Sequence, residues 1–404
     1  MTEQPLGPAD VAAAARLLEG VVTRTPVESS RAVSAFAGGP VLLKCENLQR
    51  AGSFKIRGAY VRMARLTDEE KRRGVVAASA GNHAQGVALA ARLLGVEATV
   101  YMPHGAALPK IAATEQYGAR VLAAGSSVDE ALDHARLHAE RTGAVLIHPF
   151  DHRDVVAGQG TIAREILEQV PDVRTIVVPV GGGGLAAGVV AALGDDHPEI
   201  DVVGVQAAGA AAYPASLVAG RPIPVPQMST MADGIAVGRP GEVPFALLHA
   251  AHVPVRTVSE EDLSRALLLV AERAKMLVEP SGAAGVAALM AGGEPVRTPA
   301  VVILSGGNID PLVLLRVVRH GLASAGRYLQ LRVIIDDSPG RLAALLGELA
   351  ATGCNVMHVG HVRTGVDLAI DEVEIGVQVE TRGPSHRVQV LEHLRAAGYQ
   401  VVEG

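Results

Sequence analysis

Short, nearly uninterrupted apolar runs, separated by alanine-rich helical stretches, constrain this chain more than any other feature. The runs are Gly74–Ala78, Ala98–Met102, Thr175–Val180, Asp201–Val205 and Ala300–Leu304, and stretches such as Ala84–Leu94 lie between them. A strand that is apolar on both faces must be covered on both faces. Alternation with helices supplies that cover in a parallel sheet. An α/β body over about residues 11–322 is therefore expected. In such sheets ligands gather beyond the carboxyl ends of the strands.

The pattern changes after Leu322. Ala323–Gly326 reads as a linker, which sets the expected division at 1–322, 323–327 and 328–404, with a smaller subdomain over about 47–150. The last segment reads β-α-β-β-α-β. Leu329–Ile335 forms the first strand. Ser338 is a good N-cap, and Pro339 suits a first helical turn. Leu342, Leu345, Leu346 and Leu349 keep helical spacing, whereas Val373, Ile375, Val377 and Val379 alternate as a half-buried strand does. This is a ferredoxin-like unit.

Composition removes several classes of function. No apolar run reaches the roughly 18 residues of a membrane span, and Met1–Pro5 lacks a signal-peptide pattern. The net charge of -6 gives no electrostatic reason to bind nucleic acid or anionic lipid. Two cysteines, Cys45 and Cys354, fit a reduced cytoplasmic setting rather than a disulfide framework. No metal site is expected. His358 and His361 stand three residues apart within strand and turn, a poor ligand spacing.

Four segments can carry chemistry, and all follow strands or open helices. Ser53-Phe54-Lys55-Ile56-Arg57-Gly58 places one of only five lysines at a helix start, where the positive end of the helix dipole favours a free amine. A lysine there is, on its own, most often a solvated cation. Ser79-Ala80-Gly81-Asn82-His83-Ala84-Gln85 is a small-residue loop opening a helix, a natural seat for a carboxylate. An ordinary βα turn fits it equally well, and His83 alone reads as structural. Gly181-Gly182-Gly183-Gly184-Leu185, between a strand and a helix, exposes consecutive N–H groups that can cradle a phosphate. It is neither a Walker loop nor a dinucleotide fingerprint. Ser305-Gly306-Gly307-Asn308 ends a strand with a neutral polar residue. Each is weak alone; an amine, an anion loop, a phosphate cup and a neutral hydroxyl on one α/β body form a coherent set.

Together with Asp233-Gly234-Ile235-Ala236-Val237, these segments resemble the threonine ammonia-lyase (threonine dehydratase) family. Its members are fold type II, or tryptophan-synthase-β-like, pyridoxal-phosphate enzymes. The resemblance runs over about residues 8–322 and implies two subdomains built on parallel sheets. It implies pyridoxal 5'-phosphate as cofactor, with Lys55 carrying the internal Schiff base and taking the Cα proton of the substrate. Phe54 then packs near the ring, Asn82 contacts its hydroxyl, and Ser305 faces its nitrogen. Gly181, Gly182, Gly183, Gly184 and Leu185 hold the phosphate, while Ser79, Gly81, Asn82 and His83 hold the substrate carboxylate. The implied reaction takes L-threonine to 2-oxobutanoate and ammonia, and L-serine to pyruvate.

Two alternatives stay open: a serine racemase or β-replacement relative, and an inactive amino-acid sensor. In serine racemases a serine acts opposite the lysine. Its matching position here is Ala80, which favours elimination. The stretch Gln206–Ala212 departs from relatives that place cation-binding carboxylates there. The C-terminal unit resembles an ACT domain, which implies amino-acid regulation or dimerisation. Asp337, Pro339, Gly340 and Asn355 are then the effector candidates. A homodimer or homotetramer is expected. The sequence leaves open the preference for threonine or serine, and whether the reaction serves isoleucine synthesis or threonine breakdown.

Overall fold

The computed structural model describes residues 6–363 and 368–403, so the stretch Met1–Pro5 lies outside the described residues. The chain divides into two compact units, Met1–Val313 and Leu314–Gly404.

The first unit carries two sheets. The larger has the strand order Val27–Ser29, Val41–Lys44, Ala300–Ile303, Thr175–Pro179, Asp201–Ala207, Val255–Val258. All neighbours are parallel except the edge strand Val27–Ser29. Residues Ala300–Ile303 and Thr175–Pro179 are buried throughout, as an apolar run without alternation requires. The smaller sheet has the order Arg120–Ala123, Ala98–Met102, Val75–Ala78, Val145–Leu146, all parallel. All five sequence-derived strands are present. The helix after Val75–Ala78 begins at Asn82, and the helix after the glycine run begins at Gly184. Both start at the carboxyl edge of their sheet, so both point unpaired N–H groups where ligands gather.

The helix Lys55–Ala64 crosses the helix Arg153–Gln169 with almost no gap. A Cβ on Gly158 would stand 2.7 Å from the Gly58 Cα, so only glycine permits this approach. That contact sets the height of Lys55, the first residue of its helix.

The second unit is an antiparallel sheet of order Asn355–Val362, Glu372–Glu380, Tyr328–Asp336, Gln400–Glu403, with helices Arg341–Ala351 and Pro384–Ala396. This is the ferredoxin-like order. The alternating residues Val373, Ile375, Val377 and Val379 face its core with Leu345 and Leu349. Three details depart from expectation. The division falls at Val313/Leu314, because the helix Pro311–Ser324 runs on into the segment read as a linker. The helix Arg341–Ala351 is capped by Gly340, at φ +91°, rather than by Ser338. Asn355 begins its strand opposite Glu380, at the far end of the sheet from Asp336, which pairs with Glu372.

Candidate functional site

The segment carrying Lys55 is tied to the segment carrying Ser305 by backbone pairing. Ser53 and Gly306 form an antiparallel bridge, and the Phe54 N–H donates to the Ser305 carbonyl at 3.2 Å. The Gly307 N–H donates to the Gly52 carbonyl at 2.9 Å. One cavity is therefore lined by Phe54, Lys55, Asn82, the run Gly181–Leu185 and Ser305. Every cofactor residue expected from the sequence meets there.

Lys55 donates from Nζ to the Pro149 carbonyl at 3.1 Å, and Nζ lies 5.2 Å from the centroid of the Phe54 ring. Burial pushes its amine down to about 8, while the Glu279 carboxylate acts in the opposite direction. The helix dipole foreseen from sequence is not the leading cause. The amine thus holds much of its population neutral in mildly alkaline solution, as a nucleophile or base requires.

A buried charge network anchors this helix. Arg57 donates from Nε and Nη2 to Glu46 at 2.9 and 2.8 Å, and from Nη1 to Glu165 at 2.7 Å. Glu165 also accepts from Lys44 at 2.5 Å, and Thr25 donates to Glu46 at 2.6 Å. Arg57, Glu46 and Lys44 are fully buried, so the network is satisfied inside the protein.

The glycine run forms a cup. Gly183 has φ +97°, and a Cβ there would stand 1.9 Å from the Tyr213 hydroxyl oxygen. That hydroxyl donates to the Gly182 carbonyl at 3.2 Å, while a Cβ on Gly182 would enter the Phe150 ring. Gly183 caps the following helix with no side-chain bond, so the first N–H groups of that helix stay available to an anion. Gly183→Ala is expected to weaken cofactor retention by roughly ten- to a hundredfold, through a forbidden φ and a clash. Equilibrium dialysis of the cofactor measures it.

The loop at 79–83 opens its helix at Asn82, again with no side-chain cap, and the Gly81 N–H donates to the Ser79 hydroxyl at 3.1 Å. The Asn82 amide donates to Glu279 at 2.6 Å and accepts from Asn308 at 2.8 Å. One amide N–H remains for a ligand. The His83 ring is spent elsewhere: its Nε2 meets the Ile147 carbonyl at 2.8 Å, and burial pushes it down to about 3. A neutral ring so engaged offers no charge to a carboxylate, so His83 can contribute only its backbone N–H.

Glu279 is the residue that sequence reading missed. It is buried, lines the cavity and sits against Gly306, whose Cβ would stand 2.5 Å from its Oε1. Burial, then Asp233, push its carboxyl up to about 7. A signal existed: an acid between Val278 and Pro280, opening the helix Pro280–Ala291 whose only polar side chain is Ser281, is out of place unless it has a local task.

Pyridoxal phosphate fits these residues. The cavity offers a desolvated primary amine, a cup of uncapped N–H groups and an aromatic ring, Phe54. It also offers a Ser305 hydroxyl with no hydrogen-bond partner among the described residues. Among the described residues there is no group of three or more His, Cys, Asp or Glu side chains that could hold a metal ion.

Such a site, on paired parallel sheets, defines a class of protein before any particular one. The chain belongs to the pyridoxal-phosphate dependent enzyme family, whose model matches residues 18–306. L-threonine ammonia-lyase of Thermotoga maritima is 44% identical over 97% of this chain and 98% of that protein, a match that reaches across both units. The crystal structure of a threonine deaminase from T.th. has a TM-score of 0.71 at 40% identity, covering 75% of this chain and 99% of that one. Maize serine racemase has a TM-score of 0.74 at 34% identity, covering 80% and 99%.

In the second unit a groove is lined by Asp337, Ser338, Pro339, Gly340, His361 and Arg363. Arg363 grips Asp337 with two bonds, at 2.7 and 3.2 Å, and holds its carboxyl below the usual range. Of the four effector candidates, Asp337, Pro339 and Gly340 meet here. Asn355 does not, because its strand runs antiparallel and begins at the other end of the sheet.

Proposed function

We propose that this enzyme removes water and then ammonia from L-threonine to give 2-oxobutanoate, with L-serine as a second substrate giving pyruvate. The observation that carries the reading is the meeting in one cavity of a desolvated Lys55 amine, a glycine cup and Asn82, which opens the helix after the small-residue loop. The full-length likeness to a threonine ammonia-lyase supports the choice of substrate.

Pyridoxal phosphate, when bound, supplies a sink for the electron pair left as the Cα–H bond breaks. Lys55 would hold the cofactor through Nζ. Gly181–Leu185 would hold its phosphate by backbone N–H groups, and Asn82 its ring oxygen. Ser305 presents a hydroxyl and no charge, so it gives no reason for a ring nitrogen to be protonated. That suits a reaction in which a β-hydroxyl departs at once. Ser79, Gly81 and the N–H groups of Asn82 and His83 hold the substrate carboxylate. Lys55 Nζ, once free, takes the Cα proton. Ala80 has no proton to give or take, which disfavours racemisation. The released enamine takes up water, so the atoms of threonine leave as 2-oxobutanoate and ammonia.

Because the Lys55 amine must be neutral to capture the cofactor, the capture rate of the cofactor-free protein should rise about tenfold per pH unit and level off above about 8. Glu279→Gln removes the charge that holds the amine up, so the plateau should begin at lower pH. Stopped-flow absorbance at several pH values reads both.

The C-terminal unit is read as an ACT-like regulatory unit that binds an amino acid at the Asp337–Gly340 groove. Assembly into two or four copies belongs to the same proposal and rests on resemblance. A cytoplasmic setting is supported by two unpaired cysteines, Cys45 and Cys354. Among the described residues no helix is long and apolar enough to cross a membrane.

Trapping the oxo acid as a hydrazone after incubation with L-threonine tests the function. Release of 2-oxobutanoate with equal ammonia is the expected result, and no oxo acid from threonine or serine would overturn it.

A further inference from the structure

One ion pair stands beside the cavity and has no part in the assignments above. Lys110 lies on the helix Leu108–Gln116, beside the smaller sheet, and Asp233 opens the turn Asp233–Ile235 that packs Ile235 near the glycine cup. Their Nζ and Oδ2 are 2.5 Å apart. The two side chains differ sharply in setting: Lys110 is 17% exposed and Asp233 59%. Nζ also stands 3.9 Å from where a Cβ on Gly81 would be, so the cation lies beside the loop at 79–83.

A half-buried lysine side chain favours an anionic partner, whereas an exposed carboxylate is easily returned to water. Lys110 is thus a cation placed beside an anion seat and neutralised by an acid that can leave at little cost. We propose that Lys110 is a substrate-binding residue whose Nζ takes the α-carboxylate of the incoming amino acid, exchanging Asp233 for it. Asp233 keeps the cation in place while no amino acid is bound. The ligand class is an α-amino acid with a free carboxylate; the corresponding amide gains nothing from Lys110. This rests on the reading of the 79–83 loop as a carboxylate seat for an amino-acid substrate.

The probes are L-alanine, which has no β-hydroxyl to lose, and L-alaninamide. Their dissociation constants are measured on the holoenzyme from the cofactor absorbance, in the wild type, Lys110→Met, Lys110→Arg and Asp233→Asn. Lys110→Met is expected to weaken L-alanine by roughly ten- to a hundredfold, the range for a charge-assisted hydrogen bond, and to leave L-alaninamide within about twofold. Lys110→Arg should recover most of the loss. Asp233→Asn removes the competing anion and should tighten L-alanine by roughly two- to fivefold. Equal weakening of both probes by Lys110→Met, or an unchanged L-alanine constant, overturns the assignment, as does weaker L-alanine binding in Asp233→Asn. Threonine turnover is run in parallel. Lys110-dependent alanine binding without oxo-acid release sinks elimination and leaves the carboxylate assignment standing. Normal release with Lys110-independent binding does the reverse.

Discussion

Replacing Lys55 by alanine should lower oxo-acid release from L-threonine by at least about a thousandfold, the loss expected when an anchor and a proton-transfer group disappear together. No other lysine can substitute. Lys44 is committed to Glu165 and to the Thr25 carbonyl, and Lys110 does not line the cavity. Lys71 and Lys275 donate to the carbonyls of Ala64 and Glu272 and do not line the cavity. The substitution should leave folding intact, since the Lys55 side chain makes a single hydrogen bond, to Pro149. A variant that still turns over at about a tenth of the wild-type rate, with the cofactor retained, would mean that Lys55 is not the base.

The second large effect is on stability. Arg57→Met should lower the unfolding free energy by about 3–5 kcal/mol, the cost of leaving a buried charge without its partner. Glu46 has no accessible surface and takes two of the bonds that Arg57 donates, so it would be stranded. Urea titration reads the change. The double variant Glu46→Gln with Arg57→Met should recover part of the loss, because the stranded charge is gone; additive losses would mean that the two residues are not coupled. The same network explains why the motif around Lys55 contains an arginine two residues on: it clamps the first turn of the helix that presents the amine.

The fold was legible where one physical demand dominated. Thr175–Val180 and Ala300–Leu304 carry no polar side that could face water, and both are central strands. The ferredoxin-like unit followed from the β-α-β-β-α-β succession of patterns over 328–404, with the alternation in Val373–Val379 marking one half-buried strand. The site was legible in its cofactor half, because amine, cup and hydroxyl each leave a local mark in sequence. It was illegible where partners come from distant segments. Glu279 reaches Asn82, Lys110 reaches Asp233, and Tyr213 closes on Gly182 and Gly183, and in each case the partner is set by topology rather than by neighbours. Ser338 is a good cap by type, but Gly340 adopts the left-handed conformation that ends the turn and takes the cap position instead. His83 fits a substrate loop by position, yet its ring is turned to the Ile147 carbonyl.

The central claim is that this chain does its chemistry at the Nζ of Lys55. Borohydride reduction of the holoenzyme followed by peptide mapping tests it most directly. The reduced cofactor should be found on the peptide containing Lys55, one per chain, and absent from Lys55→Ala. Label on a peptide carrying Lys44, Lys71, Lys110 or Lys275, or no label on a protein that still releases oxo acid, would contradict the account.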